Sequence, residues 1–279
     1  MSVIYSHSSQ RLSLGGRPLL PDRMCLVTGA SQGMGRAAAI EMARQGAAAV
    51  AVVDIQREGG EETAALVREQ GAKGIFVPCD LRQRDEIAAA VESTVGQFGG
   101  LDVLLNNAGV LERAFTNDVD FDTLPEDLWD LVMDINLKAV WLMSRFAAPH
   151  LRRSDRTPAI VNAASVAGYV AYSHAIYGVT KAAVIQLTKT MAVTLAPAVR
   201  VNCYCPGTID TEMGQNTAAA GASDPRVAKM TAANLIPRKG TPDEVAKLAC
   251  YLASEDAGFM TGSAYLIDGG TLAWRGVHE

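Results

Sequence analysis

The chain has 279 residues, of which 49% are hydrophobic and 20% charged, and its formal net charge is -5 at neutral pH. Lysine and arginine are scattered along it, so we expect neither a nucleic-acid partner nor attachment to an anionic membrane. It has no apolar run of about 18 residues, the length that a membrane-spanning helix needs. This composition is typical of a soluble, cytoplasmic α/β protein with a large core.

Residues 1–22 are predicted to be a flexible N-terminal extension that precedes a single domain over 23–279. The segment contains five serines and no acidic residue before Asp22, and Gly15, Gly16 and Pro18 interrupt any helix. It lacks the apolar centre of a secretory signal, which leaves a surface arm or an organelle transit peptide as its interpretation.

Five cysteines are present, and we predict that they are buried thiols of a reducing compartment. Cys25, Cys79 and Cys250 lie in apolar runs. Cys203 and Cys205 form a C-x-C pair, but no second Cys/His pair lies nearby to complete a zinc site. We therefore predict no metal site.

From residue 24 onward, short β-branched apolar runs alternate with longer alanine-rich stretches, which is typical of repeated βαβ units. Strands are predicted at 24–28, 49–54, 74–79, 103–106, 159–163, 199–203 and 264–267. Helices are predicted at 34–45, 59–71, 83–98, 126–151, 175–196 and 242–253. This order predicts a Rossmann-type, doubly wound, parallel seven-stranded sheet with helices on both faces.

Two segments suggest features beyond this framework. Residues 208–240 break the alternation with small residues and prolines, and we interpret them as a substrate loop or lid, with a helical surface excursion as the alternative. The predicted helix 175–196 is apolar on nearly all sides, which indicates a homo-oligomer, a dimer or a tetramer.

The stretch MCLVTGASQGMGRAAAIEMARQG contains glycines 29, 33 and 35 between a predicted strand and a predicted helix. Glycines allow a sharp turn and close approach of a pyrophosphate, and the free amides of the helix N-terminus attract its charge. This glycine pattern alone also occurs for packing reasons.

The following strand ends in Asp54, about 20 residues beyond the glycine turn. A carboxylate there can accept hydrogen bonds from the adenosine ribose and would repel a 2′-phosphate, which favours NAD over NADP. A helix cap is the structural alternative, and nearby Arg57 keeps NADP use open. Asp80 could accept from adenine, cap the next helix, or do both.

Tyr177 and Lys181 are four residues apart in a helical pattern, so their side chains share one face of the helix. The reference pKa of tyrosine is about 10, and a neighbouring ammonium group favours the phenolate. Such a pair suits proton exchange with a substrate oxygen.

With its accompanying motifs this pair resembles the short-chain dehydrogenase/reductase family over residues 24–270. The motifs are TGASQGMG at 28–35, the Asp54 strand end, CDL at 79–81, NNAG at 106–109, Asn136 in DINLKAV, Ser165 in VNAASVAG, YGVTK at 177–181 and PGTIDT at 206–211. The resemblance implies that Tyr177 is the acid/base and that Ser165 binds the same substrate oxygen. It further implies that Lys181 holds the nicotinamide ribose and that Asn136 positions a relay water.

The resemblance also implies a set of cofactor-binding residues that line the adenosine and nicotinamide halves of an NAD site. These are Gly29, Ser31, Gly33, Met34, Gly35, Asp54, Ile55, Asp80, Leu81, Asn107, Ala108, Gly109, Tyr177, Lys181, Pro206, Gly207, Ile209 and Thr211. The implied reaction is hydride transfer between NAD(H) and a secondary alcohol or ketone.

Eleven residues separate Ser165 from Tyr177, a short spacing for this family, and Tyr169, Tyr172 and His174 lie between them. His174 either contacts substrate or is merely exposed. The segment 110–125 carries Glu112, Asp118, Asp120 and Asp122 and is expected to be a solvated loop. Met213 and other small or apolar residues of the pocket loops indicate a fairly apolar substrate.

Two other functions remain open at this point. One is an NADPH-dependent 3-oxoacyl thioester reductase, and the other is a non-catalytic, NAD-binding regulatory protein. The intact set of Asn136, Ser165, Tyr177 and Lys181 argues against the second.

Overall fold

The computed structural model describes residues 17–116, 120–171, 176–213 and 234–273. Their strands form one seven-stranded, fully parallel sheet in the order β3-β2-β1-β4-β5-β6-β7. The strands are β1 (Met24–Thr28), β2 (Ala49–Asp54), β3 (Lys73–Pro78), β4 (Val103–Asn106), β5 (Ala159–Ala163), β6 (Arg200–Pro206) and β7 (Ala264–Ile267). The described α-helices are α1 (Gly33–Arg44), α2 (Arg57–Glu69), α3 (Arg84–Phe98), α4 (Glu126–Met133), α5 (Ala139–Leu151), α6 (Tyr177–Leu195) and α7 (Pro242–Ala253). The predicted fold class is confirmed.

Helices cover both faces of the sheet, and a separate hydrophobic core lies on each face. Helices α1, α2 and α7 pack on one face around Met42, Val67 and Val245. Helices α3, α5 and α6 pack on the other around Met143 and Val184. The central strands are buried on both sides because each lies between these two helical layers, which explains their lack of polar alternation.

The helix predicted at 126–151 is divided in the structure. Helix α4 ends at Met133, the five residues Asp134–Lys138 form one π-helical turn, and α5 begins at Ala139. A π-turn shifts the register of the side chains that follow, and such turns are frequent at functional sites. The predicted boundary of β6 was also wrong, because the strand extends from 203 to Pro206 through its pairing with β7.

The predicted flexible extension is wrong for residues 17–22, which pack onto the domain. Leu20 is fully buried, and its amide donates to the Gln45 carbonyl at 2.9 Å. Arg17 forms an ion pair with Asp256. The rest of the predicted extension, residues 1–16, lies outside the described residues.

The apolar character of α6 is mostly explained by its own domain. Val184, Ile185, Met191 and Leu195 are buried in the core, whereas Val193 is 81% exposed. In the part of the chain that the structure describes, no helix is long and apolar enough to cross a membrane. All five cysteines are buried and free, as predicted.

Candidate active site

The predicted site residues come from loops at one edge of the sheet, where its parallel strands end. The turn after β1 carries the glycines, β2 ends at Asp54, and the chain after β4 carries Asn107, Ala108 and Gly109. Strands β1 and β4 are neighbours in the sheet. From β1 the chain continues outward through β2 and β3, and from β4 it continues outward in the opposite direction through β5, β6 and β7. Ligands of open α/β sheets bind at such a switch point, beyond the carboxyl ends of the strands.

The three glycines of the first turn are required for different reasons. Gly29 and Gly33 have φ values of +63° and +56°, the left-handed region that favours glycine. Gly35 lies so close to the turn that an added Cβ would be 2.1 Å from the Gly29 carbonyl oxygen. The turn is therefore folded tightly onto the first residues of α1, where free helical amides favour an anion.

Asp54 connects the end of β2 with the glycine turn. Its Oδ2 accepts from the Ser31 amide at 3.0 Å, and its Oδ1 accepts from the Gln56 amide at 2.9 Å. A carboxylate has about four acceptor positions, so these bonds orient Asp54 and leave it able to bind ribose hydroxyls. The predicted alternative, a helix cap, was wrong, because Gln56 occupies the capping position of α2 and no side chain of the described residues bonds to cap it; the bond from the Gln56 amide is a local turn contact.

The basic residues beside Asp54 are already paired with acids. Arg57 lies 3.7 Å from Glu61 and over the Phe76 ring, and Arg36 forms an ion pair with Glu62. Arg36 also donates to the Ser31 carbonyl. Their charges are thus partly neutralised where a 2′-phosphate would need them.

Asp80 binds the side chain of Arg82 and is not the cap of the next helix. The Arg82 guanidinium holds the pKa of the Asp80 carboxyl below its usual value. Helix α3 begins at Arg84, and Gln83 occupies the capping position. The predicted capping role of Asp80 was therefore wrong. Two other predicted cofactor residues lie near the same edge, where Ile55 is exposed and Leu81 is half-buried.

The loop after β4 is fastened to the glycine turn by polar contacts. Asn107 donates to the carbonyls of Thr28 and Gly29, and the amides of Asn107 and Ala108 both bond the Thr28 hydroxyl. The buried Tyr204 of β6 donates to Asn107 Oδ1 at 3.0 Å. Tyr204 did not stand out in the sequence, because its partner lies 97 residues away.

Asn136 is the centre of the π-turn and is fully buried. Its side chain accepts from the Val110 amide at 2.8 Å and donates to the Val110 carbonyl and to the Thr180 hydroxyl. Both amide hydrogens are therefore engaged within the protein. The side chain joins the NNAG loop to α6, which is a structural function that its predicted water-binding role did not include.

Ser165, Tyr177 and Lys181 converge at the start of α6. Ser165 lies just beyond β5, its Oγ accepts from the Ala167 amide, and it hydrogen-bonds the Tyr177 side chain. Lys181 Nζ lies 5.4 Å from the centre of the Tyr177 ring and donates to the Ala163 carbonyl at 2.8 Å. A Cβ on Gly109 would lie 3.3 Å from both Lys181 Nζ and Asn136 Oδ1, so the NNAG loop passes directly over these groups. The structure thus brings all four predicted catalytic residues together.

Burial has the largest effect on the pKa values of Tyr177 and Lys181. The pKa of Tyr177 is raised to about 12, mainly by burial with smaller contributions from Glu112 and Cys205, against the lowering effect of the Ser165 hydrogen bond. Burial lowers the pKa of Lys181 to about 8. The sequence predicted only the attraction between ammonium and phenolate and missed the larger cost of desolvating each of them.

The segment after β6 completes the edge. An added Cβ on Gly207 would lie 2.8 Å from Asp268 Cα, and Ile209 is buried beneath Gly240. The Ile209 side chain therefore offers only a small exposed surface to a ligand. Thr211 lies near Gly33, the first residue of α1. Most of the predicted lid, residues 214–233, and His174 and Tyr172 lie outside the described residues.

Glu112 contradicts the expectation of a solvated acidic loop. It is fully buried in a 3₁₀ turn (Glu112–Ala114), and its Oε1 accepts from the Ile176 amide at 3.0 Å. Asp120 and Asp122 are exposed, as expected, and Asp118 lies outside the described residues.

Comparison with known proteins agrees with this geometry. The sequence profile described as Enoyl-(Acyl carrier protein) reductase matches residues 29–271. The chain is 37% identical over 258 residues to 3-oxoacyl-[acyl-carrier-protein] reductase FabG of Thermotoga maritima, covering 90% of this chain and 98% of that protein. The chain belongs to the short-chain dehydrogenase/reductase family.

Solved structures with similar folds include ligand-free aldohexose dehydrogenase from Thermoplasma acidophilum and levodione reductase. The first has a TM-score of 0.82 and 32% identity, covering 95% of this chain and 99% of that one. The second has a TM-score of 0.85 and 29% identity, covering 91% of this chain and 100% of that one. Because these proteins are named for different substrates, the comparisons establish an oxidoreductase of this family and leave its substrate to be inferred.

Proposed function

We propose that the protein transfers a hydride between NAD(H) and a secondary alcohol or ketone, with Tyr177 as acid/base. The proposal rests on one observation: the side chains of Tyr177, Ser165 and Lys181 lie close together beneath the loop that contains Gly109. A hydroxyl donor, a partner for the same oxygen and a nearby cation are what proton exchange with an alcohol oxygen requires.

The residues at the sheet edge fit a nicotinamide dinucleotide. The tight glycine turn and the free amides of α1 would hold the pyrophosphate, and the oriented Asp54 carboxylate would accept from the adenosine ribose. Ile55 and the Asp80–Leu81 segment would lie beside the adenine. The bound cofactor would supply the hydride chemistry, and the protein would supply orientation and proton transfer.

The preference for NAD rests on Asp54 and on the neutralised arginines. A carboxylate at the ribose repels a 2′-phosphate, while Arg36 and Arg57 are paired with glutamates. NADP remains the less favoured cofactor in this proposal.

Each member of the tetrad has a distinct proposed task. Tyr177 would give its proton to a ketone oxygen or take one from an alcohol, and Ser165 would hold that oxygen. Lys181 uses one of its three donors on Ala163, so the others can bind the nicotinamide ribose. Asn136 would keep the NNAG loop and α6 in register and support a relay water.

Replacing Tyr177 with Phe tests the proposal directly. We expect Tyr177→Phe to lose at least about a hundredfold in turnover, the lower end of what a general acid/base contributes, while NADH binding measured by fluorescence is retained. Tyr251→Phe, on helix α7, is the matched control and should keep its activity. Unchanged turnover in Tyr177→Phe would refute the assignment.

The second candidate is reduction of a 3-oxoacyl thioester with NADPH. It is favoured by the names of relatives such as the Thermotoga maritima protein. Assays of NAD and NADP with secondary alcohols, sugars, steroids, diols and acyl thioesters separate the two. Thioester reduction with NADPH alone would favour this candidate and remove the argument from Asp54.

The third candidate, a cofactor-binding protein without catalysis, conflicts with an assembled tetrad. Tight NAD binding without turnover across that panel would support it.

We also propose a homo-oligomer, a dimer or tetramer, because large apolar side chains such as Trp141, Val193 and Phe259 remain exposed. We propose a cytoplasmic location because all five cysteines are free thiols. Light scattering in solution tests the assembly.

A further inference from the structure

Thr180 is a fully buried threonine in the first turn of α6, between Tyr177 and Lys181 in the chain. Its hydroxyl donates to the Tyr177 carbonyl at 2.7 Å and accepts from the side-chain amide of Asn136 at 3.2 Å. One hydroxyl therefore bonds two of the four proposed catalytic residues. The proposed reaction assigns it no task.

The bond to the Tyr177 carbonyl acts at the end of a helix. Tyr177 is the first residue of α6, and helix ends fray because no preceding turn holds them. The Tyr177 side chain is also hydrogen-bonded to Ser165, which lies just beyond β5. A fixed backbone at Tyr177 is therefore needed to keep the phenol aligned with Ser165, and the Thr180 hydroxyl adds a bond to that backbone.

The bond from Asn136 connects Thr180 to another part of the fold. Asn136 is the centre of the π-turn, and its side chain bonds both backbone groups of Val110, on the loop after β4. Its other amide hydrogen goes to Thr180. The position of the π-turn is thus transmitted through one hydroxyl to the backbone of Tyr177.

A helical threonine often donates to a carbonyl one turn back, so that bond alone does not indicate a task. Thr188, two turns further along α6, provides the comparison. Its hydroxyl donates to the Val184 carbonyl at 2.8 Å, accepts from the Asn162 side chain at 3.0 Å and also bonds the Cys203 thiol, and it is equally buried. Thr180 has the same pair of bonds, but the carbonyl that it holds belongs to the proposed acid/base.

We propose that Thr180 is a positioning residue, whose hydroxyl fixes the Tyr177 backbone relative to Asn136 and so aligns the phenol with the substrate oxygen. This inference rests on the proposed role of Tyr177. Proton transfer requires donor and acceptor within hydrogen-bond distance, and a displacement of about 1 Å can cost about a hundredfold in rate. Loss of the hydroxyl should therefore lower kcat more than it weakens the binding of NAD.

Thr180→Val removes the hydroxyl and keeps the shape of the side chain. With the substrate of highest turnover in the panel, we expect kcat to fall between about tenfold and about a hundredfold. KM for NAD should change by less than about threefold, because the lost interaction aligns the reacting groups and does not hold the cofactor. Thr180→Ser keeps the hydroxyl and should retain kcat to within about threefold of wild type.

Thr188→Val is the matched control, because it loses the same pair of bonds on the same helix. We expect its kcat to remain within about threefold of wild type. If Thr180→Val does not fold, Thr180→Cys takes its place, since a thiol is only a weak donor and acceptor, and its kcat should be at least about tenfold below that of Thr180→Ser. Equal kcat with and without the Thr180 hydroxyl, or an equal loss in Thr188→Val, would overturn the proposal.

A spectroscopic measurement makes the result independent of turnover. With tyrosine labelled at ¹³Cζ, the Tyr177 resonance is identified by its loss in Tyr177→Phe. We expect this resonance to move in Thr180→Val and to keep its wild-type position in Thr180→Ser and Thr188→Val. An unmoved resonance in Thr180→Val refutes the role of Thr180, whereas failure of every substrate in the panel with the shift present refutes only the proposed function.

Discussion

Lys181 should destabilise the fold that contains it. The residue is 3% exposed, and burial lowers its pKa from 10.5 to about 8. A shift of this size corresponds to about 3 kcal/mol of unfavourable free energy when the side chain is charged. Its hydrogen bond to the Ala163 carbonyl offsets about 1 kcal/mol of this.

Replacement of Lys181 by Met, which has nearly the same shape without the charge, should therefore stabilise the protein at pH 7. We expect a gain of about 2 kcal/mol in the free energy of unfolding, measured by urea denaturation. The same variant should lose activity, since the proposed ribose contact and the cation beside Tyr177 disappear. Stability and function would then change in opposite directions at one residue.

The sign of the pH dependence follows from the lowered pKa. Below about pH 8 Lys181 is charged in both folded and unfolded chains, so folding carries the full cost of burying the charge. Between about 8 and 10.5 the unfolded chain binds more protons, and wild-type stability rises with pH relative to Lys181→Met. The advantage of the variant should therefore vanish between about pH 9 and 10, where about 1 kcal/mol of the cost remains, and above about pH 10.5 the variant should be about 1 kcal/mol less stable because it lacks the bond to Ala163.

Lys73→Met is the matched control. Lys73 also donates to a backbone carbonyl, that of Gln97 at 2.8 Å, but it is exposed. Its replacement should change stability by less than about 0.5 kcal/mol at either pH. If Lys181→Met is less stable than wild type at pH 7, or its advantage is the same at pH 7 and 10, desolvation is not what lowers the pKa.

Three further predictions concern the cofactor edge. Gly35→Ala should destabilise the protein by more than about 2 kcal/mol and abolish NAD binding, because the new Cβ would collide with the Gly29 carbonyl oxygen. The control is Gly96→Ala, in open space on α3, which should stabilise the protein by up to about 1 kcal/mol. Chemical denaturation measures both changes. Asp54→Ala should lower kcat/KM with NAD and raise it with NADP, and an unchanged ratio of the two would contradict the ribose assignment. Tyr204→Phe leaves Asn107 Oδ1 without its donor, so we expect about 1 kcal/mol lower stability and a few-fold higher KM for NAD, with no change in KM counting against a link to the cofactor loop.

The seven-stranded parallel sheet was predictable, although its strand order was not, because short apolar strands alternate with helical stretches and several strands have the composition of strands covered on both faces. Strand β1 and its neighbour β4, for example, are almost entirely apolar and buried. The tetrad was also accessible, since Tyr177 and Lys181 have helical spacing and the remaining motifs occur in a characteristic order. Both kinds of pattern are local in sequence. They predict where each strand ends, and the loops that follow the ends of parallel strands lie at one edge of the sheet.

Features that depend on distant partners were not predictable in this way. The π-turn at Asn136 forms where that amide bonds Val110 and Thr180, residues 26 and 44 positions away. The acidic composition of 110–125 suggested a solvated loop, yet Glu112 is buried because Ile176, 64 residues later, supplies an amide to it. Asp80 was predicted as a possible cap, but the neighbouring Arg82 side chain takes up its carboxylate.

Lys181 shows how the site is built around Tyr177. It is a buried cation, and among the described residues it forms no ion pair, while its Nζ donates to the Ala163 carbonyl. A neutral residue of similar shape would be less costly at this position, so packing alone does not explain it. An ammonium group beside a phenol favours the phenolate, the form of Tyr177 that can take a proton from an alcohol. The charge that destabilises the fold is therefore the one that the proposed reaction needs.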